Sequence, residues 1–126
     1  MLFMLDLTEV KAQEFRGKVL EKTGPIVVVY WMDECVHCEA FRSTLQALVD
    51  EFSGKAEFVL FRVTASDEDR EVAMRSRVQV APTLKVFYRG TIIGDVVGSL
   101  SQDRAEDLLK RFIENKDECI ANSSTI

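Results

Sequence analysis

The sequence predicts an α/β fold with a mixed central sheet covered by helices on both faces. Two apolar runs, "IVVVYW" at 26–31 and "EFVLFRV" at 57–63, are typical of strands buried on both faces. Segments whose apolar residues recur every three or four positions lie around them, as expected for helices. A hairpin and a last helix follow, which gives the order β-α-β-α-β-α-β-β-α. Crossover helices make the first three strands parallel, and the hairpin adds antiparallel strands at the edge.

The composition is that of one compact domain. The chain has 126 residues, 47% of them hydrophobic, which is enough for a single core. We assign the domain to residues 1–115 and expect 116–126 to be a flexible tail. With 16 basic and 21 acidic side chains the net charge is −5, and no basic cluster is present to bind nucleic acid.

The start "MLFMLDLTEV" lacks the basic and cleavage segments of a secretion signal, and no apolar run approaches the roughly 18 residues of a membrane span. We therefore expect a cytoplasmic protein with no membrane contact, and we expect a monomer.

The first half of the chain begins with a predicted strand, "FMLDL" at 3–7, and a helix capped by Thr8. After the central strand at 26–31 comes a helix that ends at Gly54. The apolar faces predicted for these two helices are Ala12, Phe15 and Val19 for the first, and Cys38, Phe41, Leu45, Leu48 and Phe52 for the second.

The second half contains two predicted helix starts. Ser66 with Asp69 forms a capping box for a helix that runs to about Met74, and Ser101 caps the last helix. Between them "TLKVFY" and "TIIGDVVG" form the hairpin around Arg89 and Gly90. The apolar stripe predicted for the last helix consists of Ala105, Leu108, Leu109, Phe112 and Ile113.

The segment "DECVHCEAF" at 33–41 carries the clearest chemical signal. A C-x-x-C pair in a cytosolic chain is more often catalytic or metal-binding than structural. Cys35 lies where a buried strand turns into a helix, and the positive end of the helix dipole favours a negatively charged sulfur there. We predict that Cys35 is the attacking nucleophile. Cys38 falls on the buried stripe one turn later, so we predict that it resolves the mixed disulfide.

The cysteine pair is also compatible with two other classes of function, metal binding and non-enzymatic binding of a partner. Zinc needs four ligands, and only His37 and the distant Cys119 could join the pair, so we predict no metal and no bound cofactor. The chain could also be a non-enzymatic binding module, although the presence of both cysteines argues against this. We expect Cys119 to be a bystander thiol.

From Leu7 to Ile113 the chain resembles the thioredoxin family. The motifs that carry the resemblance are the strand "VVVYW" with Trp31 four residues before the first cysteine, "CVHC" at a helix start, "VAPT" before a strand, "YRG", and "VVGSLS" before the last helix. The resemblance implies the thioredoxin fold and exchange of a Cys35–Cys38 disulfide with protein disulfides. It also implies a thioredoxin-reductase-type electron donor.

The resemblance assigns further residues to the site. On sequence alone Pro82 is expected to follow a trans peptide bond, whereas the family's matching proline is cis and faces the cysteine pair. The backbone at Ala81 would then pair with an extended substrate. Trp31 is expected to pack under the site and could also wall the active surface. Gly98 could be only a turn residue, or its missing side chain could let a partner chain approach closely.

Three departures from the family pattern affect the expected chemistry. Val36 and His37 replace Gly-Pro, Glu34 replaces the usual Trp, and Val29 replaces a buried acid. A partly protonated His37 would stabilise the thiolate, as in the oxidising relatives that this motif resembles, and Glu34 would oppose it. We therefore expect a reduction potential between roughly −270 and −120 mV. Without the buried acid, we expect slower resolution.

Overall fold

The computed structural model describes residues 7–98 and 100–123 and has the predicted α/β architecture. A 3₁₀ turn at Ala12–Glu14 and a π-helical turn at Arg16–Leu20 lie between the first two strands. The strands and α-helices, in chain order, are β1 Thr8–Glu9, β2 Ile26–Trp31, α1 Val36–Glu51, β3 Glu57–Arg62, α2 Asp67–Arg75, β4 Thr83–Tyr88, β5 Thr91–Val97, α3 Gln102–Glu114 and α4 Lys116–Ser123.

The five strands form one mixed sheet in the order β1-β3-β2-β4-β5. The first three strands along the chain, β1, β2 and β3, run parallel, with β3 between the other two, and β4 and β5 are antiparallel to their neighbours. This confirms the predicted parallel set with a hairpin at its edge. The central strand β2 is buried along its whole length, as its continuous apolar run predicted.

Each face of the sheet is covered by its own helices. The residues of β2 and β4 that share a face with Val29 pack against α1 and α3. The residues on the opposite face, around Tyr30 and Phe61, pack against α2 and the helical turns at 12–20. Because strand side chains alternate between faces, a fully apolar strand can serve both cores at once.

The helix caps at Ser66 and Ser101 are confirmed. The Ser66 hydroxyl oxygen accepts a hydrogen bond from the Asp69 backbone N–H at 3.0 Å, and Ser101 accepts one from the Arg104 N–H at 3.3 Å. Each serine satisfies a backbone donor that the first turn of a helix leaves without a carbonyl partner.

The predicted start of the first helix is wrong. Thr8 was expected to cap it, but Thr8 and Glu9 are strand residues paired with Val59 and Leu60 of β3. The Val10 N–H donates to the Leu60 carbonyl at 2.8 Å. Because the backbone at 8–10 is hydrogen-bonded to β3, the helical turns begin only at residue 12. Of the strand predicted at 3–7, residues 3–6 lie outside the described residues, and Leu7 is not in a strand.

Residues 116–123, which were expected to be frayed or disordered, form α4 instead. Cys119 and Ile120 pack against the core on one face of the sheet, and the Tyr88 hydroxyl donates to Asp117 at 2.9 Å. These contacts stabilise α4, and they could not be predicted from the polar composition of the segment. The domain boundary at residue 115 remains a prediction.

Candidate functional site

The site begins where β2 ends and α1 starts. Cys35 is the N-cap residue of α1, with extended backbone angles (φ −111°, ψ 114°), and its sulfur accepts a hydrogen bond from the Cys38 backbone N–H at 3.1 Å. A negatively charged sulfur gains most from such a donor at a helix N terminus, where the dipole also favours it. The geometry therefore matches the thiolate position predicted for Cys35.

Cys38 is fully buried, on the face of α1 that also carries Phe41 and Leu45. Burial raises the pKa of its thiol to about 12, and the hydrogen bond with Cys35 acts in the same direction. Cys35, by contrast, is only half-buried. The two sulfurs therefore differ in accessibility, since one can meet a substrate and the other is protected from it. All three cysteines are free thiols in this structure.

The loop before β4 faces the cysteine pair. The Ala81 carbonyl oxygen lies 3.8 Å from the Cys35 sulfur, and the Ala81–Pro82 peptide bond is cis, the isomer that the resemblance implies. Ala81 is half-buried and Pro82 is buried, whereas Val80 just before them is 57% exposed.

Gly98 supports this loop from β5. Its N–H donates to the Pro82 carbonyl at 2.9 Å, and a Cβ at position 98 would lie 2.3 Å from Pro82 Cγ. Because real Cβ atoms do not approach other heavy atoms so closely, a side chain at this position would displace the proline. The close approach of Pro82 is therefore sufficient to explain why position 98 is a glycine. Contact with a partner, which the sequence suggested, remains a proposal.

Trp31 is a packing residue. Only 4% of its surface is exposed, and the Arg42 guanidinium carbon lies 5.9 Å from the ring centroid. This agrees with the expectation that Trp31 packs under the site, and the further role of its ring as a wall of the active surface remains a prediction. Val36, between the two cysteines, is instead the most exposed large apolar residue near the site, at 80%.

His37 and Glu34, the predicted tuning residues, are both exposed. His37 lies in the first turn of α1, between the two cysteines in sequence. Glu34 has φ +54°, in the left-handed region that few residues other than glycine adopt. Neither conformation nor exposure tests their predicted effects on the thiolate, which remain proposals.

Val29, which replaces the family's buried acid, is completely buried and pairs in the sheet with Leu60 and Leu84. All three residues belong to the core that also includes Cys38, with Leu60 only partly buried. The structure thus gives Cys38 an apolar environment where the family pattern has a carboxyl group.

Sequence reasoning missed one contact at this site. Arg62, the last residue of β3, forms an ion pair with Asp33 in the loop before Cys35. The available signal was a charged residue at the end of an otherwise apolar strand, but nothing in the sequence showed which carboxylate it would meet.

The structure also bears on metal binding and on membrane insertion. Within residues 7–98 and 100–123, no group of three or more His, Cys, Asp or Glu side chains is arranged to hold a metal ion. Over the same described part of the chain, no helix is long and apolar enough to cross a membrane.

The chain has a mixed sheet flanked by helices, a cysteine that caps a helix one turn before a buried cysteine, and a proline loop beside the first of them. This combination defines a dithiol–disulfide exchange protein. The Thioredoxin family model matches residues 6–114. The chain belongs to the thioredoxin family and is a protein disulfide oxidoreductase of that family.

The curated relatives are distant in sequence. The chain is 25% identical over 109 residues to Thioredoxin M4, chloroplastic, of Arabidopsis thaliana, covering 86% of this chain but only 55% of that protein. Thioredoxin C-2 of Corynebacterium nephridii is 26% identical over 92 residues, which are 73% of this chain and 82% of that protein. Thioredoxin of Haemophilus influenzae is 24% identical over 110 residues, 87% of this chain and 100% of that protein.

Proposed function

We propose that this chain is a thioredoxin-like reductant, in which Cys35 attacks protein disulfides and Cys38 completes their reduction. The observation that carries this proposal is the position of the Cys35 sulfur, at the N-cap of α1 and 3.1 Å from the Cys38 N–H. That position favours the thiolate, which is the form that attacks a disulfide.

The reaction follows from the two sulfurs. The Cys35 thiolate bonds to one sulfur of the substrate disulfide, and the other substrate sulfur leaves as a thiolate. Cys38 then loses its proton and attacks Cys35, which closes the Cys35–Cys38 disulfide and releases the second substrate thiolate. Two electrons pass to the substrate. The released substrate thiolate or water accepts the Cys38 proton, because Val29 supplies no carboxylate.

Substrate would lie in extended form along the backbone at Ala81, whose carbonyl lies beside Cys35. Val36, together with Met32, Val80 and Val97, exposes apolar surface on the segments that border the site. We propose that these residues contact the chain that flanks the substrate disulfide, with Gly98 leaving room for it. A thioredoxin-reductase-type donor would return electrons to the oxidised pair, and we propose a monomer that acts in the cytoplasm.

The direct test is reduction of insulin disulfides with dithiothreitol as electron donor, in a Cys119→Ala background. Cys35→Ser should abolish catalysis. When reduced protein is incubated with insulin and no dithiothreitol, Cys38→Ser should accumulate a covalent mixed disulfide with the substrate, because the first step still proceeds and the second cannot. Catalysis that survives Cys35→Ser would refute the assignment of the nucleophile.

The direction of electron flow is tested by the equilibrium reduction potential of the Cys35–Cys38 pair. A value near −270 mV supports the reductant, whereas a value near −180 mV or higher, typical of isomerases and oxidants, would contradict it. Zinc analysis of protein purified under reducing conditions tests the predicted absence of metal, and one equivalent of zinc would reopen the metal hypothesis.

A further inference from the structure

Arg62 joins the loop before the active-site cysteine to the parallel half of the sheet. It ends β3 directly beside Trp31, its partner in β2. Its guanidinium Nη1 pairs with Asp33 Oδ1, and its Nε lies 3.3 Å from Glu9 Oε1 in β1. The second Glu9 oxygen pairs with the Lys11 ammonium at 3.0 Å. One side chain thus bridges β1, β3 and the turn that leads into α1.

That turn contains backbone strain. Glu34 has φ +54°, a conformation that is unfavourable for a residue with a side chain. Such residues persist only where their surroundings hold them. Before the turn, the Trp31 carbonyl accepts from the Val63 N–H at 2.9 Å, and after it the Cys35 carbonyl accepts from the Glu39 N–H at 3.0 Å. Between these two backbone anchors, Arg62 holds the side chain of Asp33.

We propose that Arg62 is a positioning residue for the thiol chemistry of Cys35, acting through Asp33. The ion pair keeps the Asp33–Glu34 turn in the conformation that delivers the Cys35 sulfur to the N terminus of α1. It also offsets a negative charge only two residues from that sulfur, which would otherwise disfavour the thiolate. The inference rests on the proposed function, in which the Cys35 thiolate is the attacking species.

The size of the effect follows from exposure. The side chains of Arg62 and Asp33 are 38% and 62% exposed, so the pair is partly screened by solvent. Pairs of this kind contribute roughly 0.2–1 kcal/mol when both partners are partly exposed, which corresponds to at most about a fivefold change in an equilibrium or a rate. Because a contribution of this size is a small part of the stability of a domain, its loss should leave a folded protein.

The experiment measures alkylation of Cys35 by iodoacetamide at pH 7, together with the reduction potential, in a Cys119→Ala background. Arg62→Gln should slow alkylation roughly two- to fivefold and make the potential more negative. Arg62→Lys keeps the positive charge and should recover most of the rate. In an Asp33→Ala background, Arg62→Gln should have no further effect, since the partner through which Arg62 acts is already gone.

Glu9→Gln is the matched control, because it breaks the other ion pair of the same guanidinium and leaves Asp33 in place. It should change neither alkylation nor potential. The inference is wrong if Arg62→Gln changes neither the alkylation rate nor the reduction potential. It is also wrong if Arg62→Gln has its full effect in the Asp33→Ala background, or if Glu9→Gln alone has the same effect as Arg62→Gln.

The same measurement separates this inference from the proposed function. Cys35 in the folded parent protein should alkylate faster than the same residue in urea-unfolded protein. If it does not, the proposed thiolate chemistry fails. If Cys35 alkylates faster in the folded protein but Arg62 and Asp33 are not coupled, only the role of Arg62 is refuted, and the proposed function stands.

Discussion

His37 lies exposed in the first turn of α1, where a positive charge acts on the same end of the helix as the Cys35 sulfur. A positively charged imidazole stabilises the thiolate and hence the reduced form. His37→Ala should therefore make the reduction potential more negative, by about 5–20 mV for an exposed charge. Equilibration in defined redox buffers at pH 7 measures the change.

Val36→Ala is the matched control for His37→Ala, since it alters the neighbouring exposed residue without changing charge. An unchanged potential in His37→Ala would show that the histidine does not tune the pair.

The buried thiol of Cys38 makes the stability of the reduced protein depend on pH. Its pKa is raised from 9.0 to about 12, so the folded state binds this proton more tightly than the unfolded state. The stabilisation is complete below pH 9 and is lost as pH rises towards 12, at up to about 1.4 kcal/mol per pH unit. Urea unfolding of reduced protein at pH 8, 9 and 10 should show the loss.

Cys38→Ala keeps Cys35 and removes only the buried thiol, so it serves as the control. Its stability should fall less steeply above pH 9 than that of the parent protein. Equal slopes for the two proteins would mean that Cys38 does not retain its proton in the folded state.

Gly98 shows how a residue without a side chain can control the site. In Gly98→Ala the new Cβ would overlap Pro82, so the proline loop must move away from Cys35. We expect a loss of roughly 1–3 kcal/mol in the free energy of unfolding and slower insulin reduction. Gly17→Ala, where a Cβ would meet nothing within 4 Å, should change neither. If Gly98→Ala reduces insulin as fast as the parent protein, the position of the proline loop does not affect catalysis.

At the scale of elements, α3 packs closely against β5 where Phe112 meets Gly94. A Cβ at Gly94 would lie 2.5 Å from the ring of Phe112. Gly94→Ala should therefore destabilise the fold by roughly 1–3 kcal/mol through overpacking, as measured by urea unfolding, with insulin reduction little changed.

Phe112→Leu removes the ring that the new methyl group would meet. Adding it to Gly94→Ala should recover part of the lost stability, although each substitution alone is destabilising. Strictly additive losses would show that the two residues are not in contact.

At the scale of the whole molecule, α4 and the cysteine site lie at opposite ends of β4. The Tyr88 end of that strand contacts α4, and Pro82 directly precedes the other end. Six residues of strand separate these ends by roughly 17–20 Å. Deleting residues 116–126 should therefore lower stability by about 1–3 kcal/mol while leaving insulin reduction intact.

Tyr88→Phe tests the hydrogen bond within this contact, since it removes only the hydroxyl that donates to Asp117. It should lose less stability than the deletion. If the deletion abolishes insulin reduction without lowering stability, the prediction that α4 acts on stability and not on the cysteine site is wrong.

Most of the fold could be predicted from local patterns. The continuous apolar run of β2 and the serine caps of α2 and α3 depend on nearby residues, and these predictions were confirmed. The first helix was misplaced because Thr8 suits both a cap and a strand, and only pairing with β3 decides between them. The folding of α4 was missed for a similar reason, since its partners Tyr88 and the core lie far away in sequence.

By itself, the sequence determined the family, the order of the strands and of the helices α1 to α3, and the pair of thiols with one at a helix start and one on a buried face. These features follow from spacing along the chain, which fixes local structure and the face on which a side chain lies. Only the tertiary structure decided that Trp31 is covered, that Gly98 must lack a side chain beside Pro82, and that Arg62 meets Asp33. Such contacts join distant segments, and packing of the whole sheet determines which side chains meet.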